Sequence, residues 1–371
     1  MEFFDVQVQG AGIVGRSLAL ALARQGLRVA LRSQPAAATG APDVRAYALS
    51  GKSVELLRGL KVWDALPAHA ATPVRDMHVR GDAGASAIDF SAWQQRVSAL
   101  AWITDAAVLE RELAAAVRFA PHITEIGDDR AVRATLTAVC EGKASATREA
   151  LGVAFERHAY SHQAIAARLT STRAHQGIAR QWFRAPDVLA LLPFDAPEPS
   201  VSYALVWSVP DARAAELLGA DAAGFERELM HATGGAAGAL TLASARAAWP
   251  LAQARAASVA GPGWVLLGDA AHVVHPLAGQ GLNLGLADVA ALAEVIRLRE
   301  PWRTLDDATL LRRYARERAA PTWAMSELTD GLWRLFAHDA PLAQELRNRG
   351  LTLVNHLSPL KRWLTSHALD S

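Results

Sequence analysis

A chain of 371 residues, 51% hydrophobic and 20% charged, is long and apolar enough for two or three lobes around a sizeable core, which excludes a disordered protein. Its 38 basic residues against 37 acidic ones leave a formal charge of +1, so no strong overall field draws in nucleic acid. A single cysteine, Cys140, excludes an internal disulfide and a cysteine-based zinc site, and it fits a reducing compartment.

MEFFDV enters a strand at once, with no basic segment leading into an apolar one, so no signal peptide is expected. No uninterrupted apolar run of about 18 residues offers a membrane span. A strand over Val6–Gln9 is followed by GAGIVG (Gly10, Gly12, Ile13, Val14, Gly15), an Ala/Leu helix ended by Gly26, and a second strand over Arg28–Leu31. In that strand–turn–helix setting the glycines serve a tight turn, close approach to a pyrophosphate and helix–sheet packing, which predicts a dinucleotide site. The acid expected after the second strand to hold ribose hydroxyls is replaced by Ser33, which follows Arg32. Three readings stay open: a weaker serine–ribose hydrogen bond, an Arg32 contact to a 2′-phosphate, or a solvent-facing strand end.

After a small-residue loop over 36–43, Arg45 stands before a helix expected from about Ser50 to Leu60. Residues 74–98 read as ribbon or loop, and 105–118 as an amphipathic helix with Leu109, Leu113 and Val117 on one face. A strand then ends at Glu141–Gly142, where a carboxylate beside a glycine either meets the cofactor again or makes a surface turn. From 155 to 255, QAIAARLTST, VLALLPF and SYALVWSVP alternate as in an antiparallel sheet, with one helix near Phe225–His231. Gly234, Gly235 and Gly238 follow a helix rather than a strand and read as a loop.

The stretch WVLLGDAAHVVHPLAGQGLNLGLADVA (264–290) gives a buried strand over Val265–Leu267, a Gly268–Asp269 turn and a Gly-rich loop opening a helix at about Gly281. An acid directly after a buried strand suits a sugar or polyol hydroxyl. Gly279, Gly281 and Asn283 at a helix start leave N–H groups and a dipole that favour an anion. His272 and His275 have metal-like spacing but no third ligand nearby, so no metal is expected. Helices fill the rest, and the tail sets Leu353, Leu357, Leu360 and Leu364 near one face among Arg347, Arg349, Lys361 and Arg362.

GAGIVG, the acidic–Gly turn and GDAAHVVHPLAGQGLNLGLAD together resemble the single-component flavin aromatic hydroxylases with the para-hydroxybenzoate hydroxylase fold. RAYALS, TDGLWRLF, LRNRGL and PLKRWL add a resemblance to the ubiquinone-biosynthesis hydroxylases within that group. The resemblance covers nearly the whole chain in order. It implies an α/β chain: a Rossmann-like FAD-binding domain (1–73, 99–154 and 256–322), an inserted antiparallel-sheet substrate domain (74–98 and 155–255) and a C-terminal helical segment (323–371).

It further implies that Gly10, Gly12, Ile13, Val14 and Gly15 lie against the FAD pyrophosphate. Gly268 and Asp269 would hold the ribityl or phosphate side, and Arg45 would approach from its loop. Pro276, Gly279, Gln280, Gly281, Leu282 and Asn283 would run under the isoalloxazine. Ser33 and Glu141, with Gly142, occupy the positions of the family's ribose acid and middle Asp–Gly motif. No side chain is assigned as a catalytic acid or base. The expected chemistry is hydroxylation of an aromatic ring with O2 activated at the flavin C4a position, and NAD(P)H as a transient reductant without its own Rossmann lobe.

The implied substrate is a polyprenyl phenol. The alternatives are a small soluble phenol, or a turnover-deficient scaffold in a quinone-biosynthesis complex. Such an enzyme is expected in the cytoplasm, with peripheral contact to the inner face of a membrane or to a complex left open; the basic, Leu-bearing tail either docks on the body or lies at an interface.

Overall fold

The computed structural model describes residues 2–33, 43–81, 87–127, 130–274 and 280–337. The chain opens with β1 (Phe3–Gln9), α1 (Ile13–Ala23) and β2 (Val29–Arg32), as the glycine spacing predicts. Next come β3 (Ala46–Leu49), α2 (Gly51–Gly59), β4 (Ala71–Val74), β5 (Asp76–Arg80), β6 (Ala87–Ser91), α3 (Ala92–Gln95), β7 (Ala101–Asp105) and α4 (Ala106–Phe119). Ser50 accepts the Ser53 N–H and Asp105 the Val108 N–H, so α2 and α4 each start at a side-chain cap. On α4, Leu109, Leu113 and Val117 are buried on one stripe. β8 (Ile123–Ile126), β9 (Arg133–Val139) and α5 (Ala146–Ala150) complete the first stretch.

The second stretch holds β10 (Phe155–Ser171), β11 (Ile178–Arg184), β12 (Asp187–Phe194), β13 (Ser202–Pro210), α6 (Asp211–Gly219), α7 (Ala222–Thr233), β14 (Leu240–Leu242) and β15 (Ala247–Ala256). The third holds β16 (Ala260–Gly261), β17 (Trp264–Leu266), β18 (His272–Val273), α8 (Gln280–Arg297) and α9 (Ala308–Ala337).

Six strands, in the order β16-β17-β9-β1-β2-β8, make a sheet that is parallel from β17 to β8. Val6 and Val8 are fully buried, as strands covered on both faces require. Its central strands come from three separate stretches, with Val6 opposite both Val29 and Leu136, and Val139 opposite Leu266. The large sheet runs β18-β15-β10-β13-β12-β11-β5-β6, with β14 also on β10. It is antiparallel but for one pair: β5 lies parallel to β11, because the 76–91 ribbon reaches this sheet from an earlier part of the chain. One face of the large sheet, including Ile165, Tyr203, Leu205 and Trp207, packs on α6 and α7.

Two features were not foreseen from the sequence. The helix α6 precedes the expected one, and β3, β7 and β4 form a small antiparallel sheet between the two large ones. Arg45 therefore enters a strand, AYAL, before the predicted helix begins. Among the described residues no helix is long and apolar enough to cross a membrane.

Candidate functional site

The glycines after β1 divide into two kinds. Gly10 has φ +101°, and a Cβ there would sit 2.5 Å from the Cys140 carbonyl oxygen; a Cβ on Gly15 would sit 1.9 Å from the Gly10 oxygen. These two glycines let the turn, α1 and the end of β9 close on one another. Gly12 has nothing within 4 Å of a built Cβ, and it precedes α1 without any side-chain cap. The uncapped first turn of α1 thus leaves its N–H groups for a ligand, with room beside them.

Val14 carries this corner to the late motif. Its Cγ2 would lie 3.2 Å from a Cβ on Gly268 and 2.7 Å from one on Gly285, whose own Cβ would also be 3.3 Å from Gly268 Cα. Gly268, at φ +58°, and Gly285 thus admit α8 against α1 and the turn after β17. Gly281, at the start of α8, has nothing among the described residues within 4 Å of a built Cβ.

The turn is fixed from behind. Asp288, 1% exposed, accepts from the Gly268 N–H at 2.9 Å and pairs with His272 Nε2 at 2.7 Å, both through Oδ2; its Oδ1 accepts from Arg318 Nε at 2.6 Å. Burial alone would raise the Asp288 carboxyl, but His272, Arg318 and the Gly268 N–H together hold it below the ordinary carboxylate value. Four residues earlier on α9, Tyr314 donates to the Leu266 carbonyl at 2.8 Å. Sequence reasoning passed over Asp288, although Gly281, Gly285 and Asp288 recur on one helical face. His272 is thus engaged with Asp288, and no group of three potential metal ligands occurs among the described residues.

Asp269 lies within the turn, half-buried, with no hydrogen-bond donor to its carboxylate among the described residues. Burial pushes its carboxyl up, against the pull of Lys143, His272 and Arg45. An acceptor so placed fits a hydroxyl-bearing ligand.

Arg45 is oriented by Asp43, which takes its Nε at 2.9 Å and its Nη2 at 2.7 Å, with Glu110 3.5 Å away. Its charge still reaches Asp269, where it opposes the effect of burial. From the large sheet, Arg168 donates to the Arg45 carbonyl at 2.8 Å and to Asp105 at 3.3 Å, above the Phe194 ring. Asn283 is 1% exposed and joins α8 to the small sheet: its Oδ1 accepts from the Ser50 N–H at 3.0 Å and Ser53 Oγ at 2.8 Å, and its Nδ2 donates to the Ala48 carbonyl at 2.8 Å. Its side chain therefore ties the first turn of α8 to the small sheet and the start of α2. Gln280 is buried beside it, and Leu282 packs against the core of the parallel sheet.

The adenosine-side candidates are placed differently. The Glu141 carboxylate takes Ser145 Oγ at 2.6 Å, the Thr147 N–H at 3.0 Å and Thr147 Oγ1 at 2.7 Å, so it secures the start of α5. Gly142 turns beside it at φ +81° with open space around it. Arg32 bonds the Gly127 and Arg130 carbonyls at 2.5 and 2.7 Å, which occupies the guanidinium suggested for a 2′-phosphate. Ser33 lies at the strand end, its N–H on the Ile126 carbonyl. Asp187, at the start of β12, turns toward the helices, meeting Trp207 Nε1 at 3.2 Å and Arg213 Nε at 2.9 Å. Pro276 and Gly279, with His275 and the tail leucines, lie outside the described residues.

The face of the large sheet opposite α6 and α7 is apolar. Val79, Ile88, Tyr160, Ala164, Phe183, Val188 and Leu251 form one cluster there, and Leu192, Phe194 and Ala204 pack against Ile103 of the small sheet in another. The helix α9 reaches this sheet as well: Tyr160 donates to Asp330 at 3.0 Å and Gln253 to Ser326 at 2.5 Å.

A family model described as FAD binding domain matches residues 4–329. The 3-demethoxyubiquinol 3-hydroxylase of Escherichia coli (strain K12) is 30% identical, over 98% of this chain and 98% of its own. The ubiquinone hydroxylase UbiL of Rhodospirillum rubrum is 31% identical, over 99% of this chain and 90% of its own. Among solved structures, Pseudomonas aeruginosa PqsL in complex with 2-aminobenzoylacetate superposes with a TM-score of 0.78 at 20% identity, covering 95% of this chain and all of that one. Klebsiella pneumoniae HpxO complexed with FAD and uric acid gives 0.75 at 17% identity, covering 99% of this chain and 97% of that one. At such identities the structural likeness establishes the shared α/β fold.

Proposed function

Because this chain belongs to the FAD-binding-domain family that the sequence resemblance implied, we propose that it is an FAD-dependent monooxygenase that hydroxylates an aromatic ring in ubiquinone biosynthesis. The observation that carries the reading is the convergence, through Val14, of an uncapped helix start at Gly12 with the Gly268 turn and the Asp269 carboxylate, which meets no hydrogen-bond donor among the described residues. These residues fit FAD: amides and open space at Gly12 for pyrophosphate, an acceptor at Asp269 for hydroxyls, and a second helix start at Gly281 for negative charge. We assign the cofactor-binding role to Gly12, Asp269, Gly281 and the loop leading into α8. We also assign residues 1–73, 99–154 and 256–322 to the cofactor unit, and 74–98 with 155–255 to the substrate unit.

Bound FAD, reduced by NAD(P)H, supplies the activation of O2, one oxygen atom going to the ring and the other to water. The protein's part is positioning, desolvation and charge. The first amides of α8 would stabilise negative charge at their mouth by about 1–2 kcal/mol. The apolar face around Tyr160, Phe183 and Val188 would hold an aromatic ring and keep water away. Asp288 keeps the Gly268 turn fixed and Asn283 the start of α8, so these groups need little reorganisation.

A prenylated phenol suits that apolar face, and its poor solubility calls for contact with a membrane or a carrier complex. The exposed rings of Trp302 and Trp323 support such a contact. Purified protein should be yellow and release flavin on denaturation. With a prenylated phenol, NAD(P)H consumption should match formation of a product carrying one atom from labelled O2. A colourless protein that takes up no FAD at micromolar concentration would instead leave a scaffold, and equal turnover of unprenylated phenols would remove the prenyl preference.

A further inference from the structure

On the far side of the large sheet from the apolar substrate face lies a cavity of about 380 Å³ lined by Arg173, Ala174, Gln176, Arg180, Tyr203, Ala236 and Ala237. Its face is fixed by strand alternation: Tyr203 belongs to the cluster that packs on α6 and α7, while Ala179 and Ala204, the neighbours of Arg180 and Tyr203, point the other way. We propose that this cavity is a binding site for a phosphate dianion, taken as a phosphate monoester of a small polyol or as free phosphate, separate from the site of hydroxylation.

Charge is the first argument. Arg180 is only half-exposed, and among the described residues it donates to the Tyr203 hydroxyl at 3.0 Å and the Ile178 carbonyl at 3.4 Å. Neither the half-exposed Arg180 nor the exposed Arg173 meets a carboxylate among the described residues, whereas Arg213, Arg303 and Arg313, half-exposed like Arg180, do. Two guanidinium groups without acidic partners, beside a buried phenol, offer the donors that a phosphate accepts and that a neutral ligand would leave unanswered.

The loop supplies the second argument. The glycines at 234, 235 and 238 flank Ala236 and Ala237 of this wall, and Gly238 packs against Arg173. Gly238, at φ +86°, would place a Cβ 2.9 Å from Arg173 Cγ and 2.8 Å from Thr172 Oγ1, so only glycine admits the arginine stem. Ser171 Oγ donates to the Ala237 carbonyl and accepts from the Arg173 N–H at 3.0 Å, while the Ala239 N–H donates to Thr172 Oγ1 at 3.0 Å. The Arg173 backbone is thereby held at the wall of the cavity before any ligand arrives, which lowers the ordering cost of binding. The volume exceeds what a bare oxyanion fills and leaves room for an ester group of sugar size.

Calorimetric titration of the FAD-loaded protein with inorganic phosphate and with ribose 5-phosphate tests the site. Saturable binding of either in the submillimolar range is expected, weakened about tenfold or more in Arg173→Met and in Arg180→Met, with flavin content unchanged. Tighter binding of the ester identifies an ester ligand, and equal binding identifies free phosphate; either supports the site. Arg173 is exposed, so its variant keeps the fold even if Arg180→Met does not. No saturation by either probe, or unchanged affinity in Arg173→Met, overturns the proposal.

Discussion

Arg318 Nε lies 2.6 Å from Asp288 Oδ1, and both side chains are buried behind the turn that carries Gly268. Removing the cation in Arg318→Met leaves a buried carboxylate short of a partner and should cost about 3–5 kcal/mol of stability. Asp288→Asn with Arg318→Met should cost less than the sum of the two single changes.

The same pair sets an acid limit. Because the folded Asp288 carboxyl is held down, its stabilisation is present above the unfolded value of about 3.9 and is lost as pH falls through the folded value. In Arg318→Met the folded value rises, so the melting temperature should begin to fall at higher pH than in the wild type. Thermal melts from pH 7 to pH 3 check this, and parallel curves would refute it.

Gly12 and Gly15 should respond in opposite ways to one methyl group. Gly15→Ala forces a Cβ toward the Gly10 oxygen and should destabilise the protein by several kcal/mol even without cofactor. Gly12→Ala meets nothing within 4 Å, so the apoprotein should melt within a degree or two of wild type while FAD affinity falls about tenfold or more. Melting temperatures with and without FAD separate the two effects.

Asp269→Asn should exchange function for stability. The raised carboxyl means that its ionised form disfavours the folded apoprotein at neutral pH, a cost that disappears as pH falls through the folded value. The variant apoprotein should therefore melt about 1–3 °C higher at pH 7. FAD binding should weaken about 10- to 100-fold, as for a lost charge-assisted hydrogen bond. Fluorescence titration of FAD into apoprotein supplies the second number.

Glu141→Ala removes three hydrogen bonds around α5 and should cost about 1–3 kcal/mol, yet change FAD affinity less than about threefold. A tenfold loss would mean that this carboxylate reaches the cofactor after all.

The parts of the site legible in the sequence were those where local chemistry dictates backbone. Gly10, Gly15 and Gly268 announce close approaches, and the acid at Asp269 stands out after an apolar strand. What stayed hidden depends on partners far away in the chain. Asp288 reads as a helix residue until Arg318 and Gly268 meet it, and Asn283 reads as a helix start until Ser50, Ser53 and Ala48 surround it. The strand after Arg45 was missed because AYAL pairs with residues 102–105, more than fifty positions on. At Glu141 a family position was visible, but the direction of its carboxylate was set by Ser145 and Thr147.

Alternation along β10 to β13 puts Ala204 and Val206 on one side of the sheet and Tyr203, Leu205 and Trp207 on the other. Ala204 thus meets Ile103 of the small sheet while its neighbours go on gripping α6 and α7. The two sides of the same ribbon thus answer to different partners, and a lineage is free to revise one set of contacts without redrafting the other.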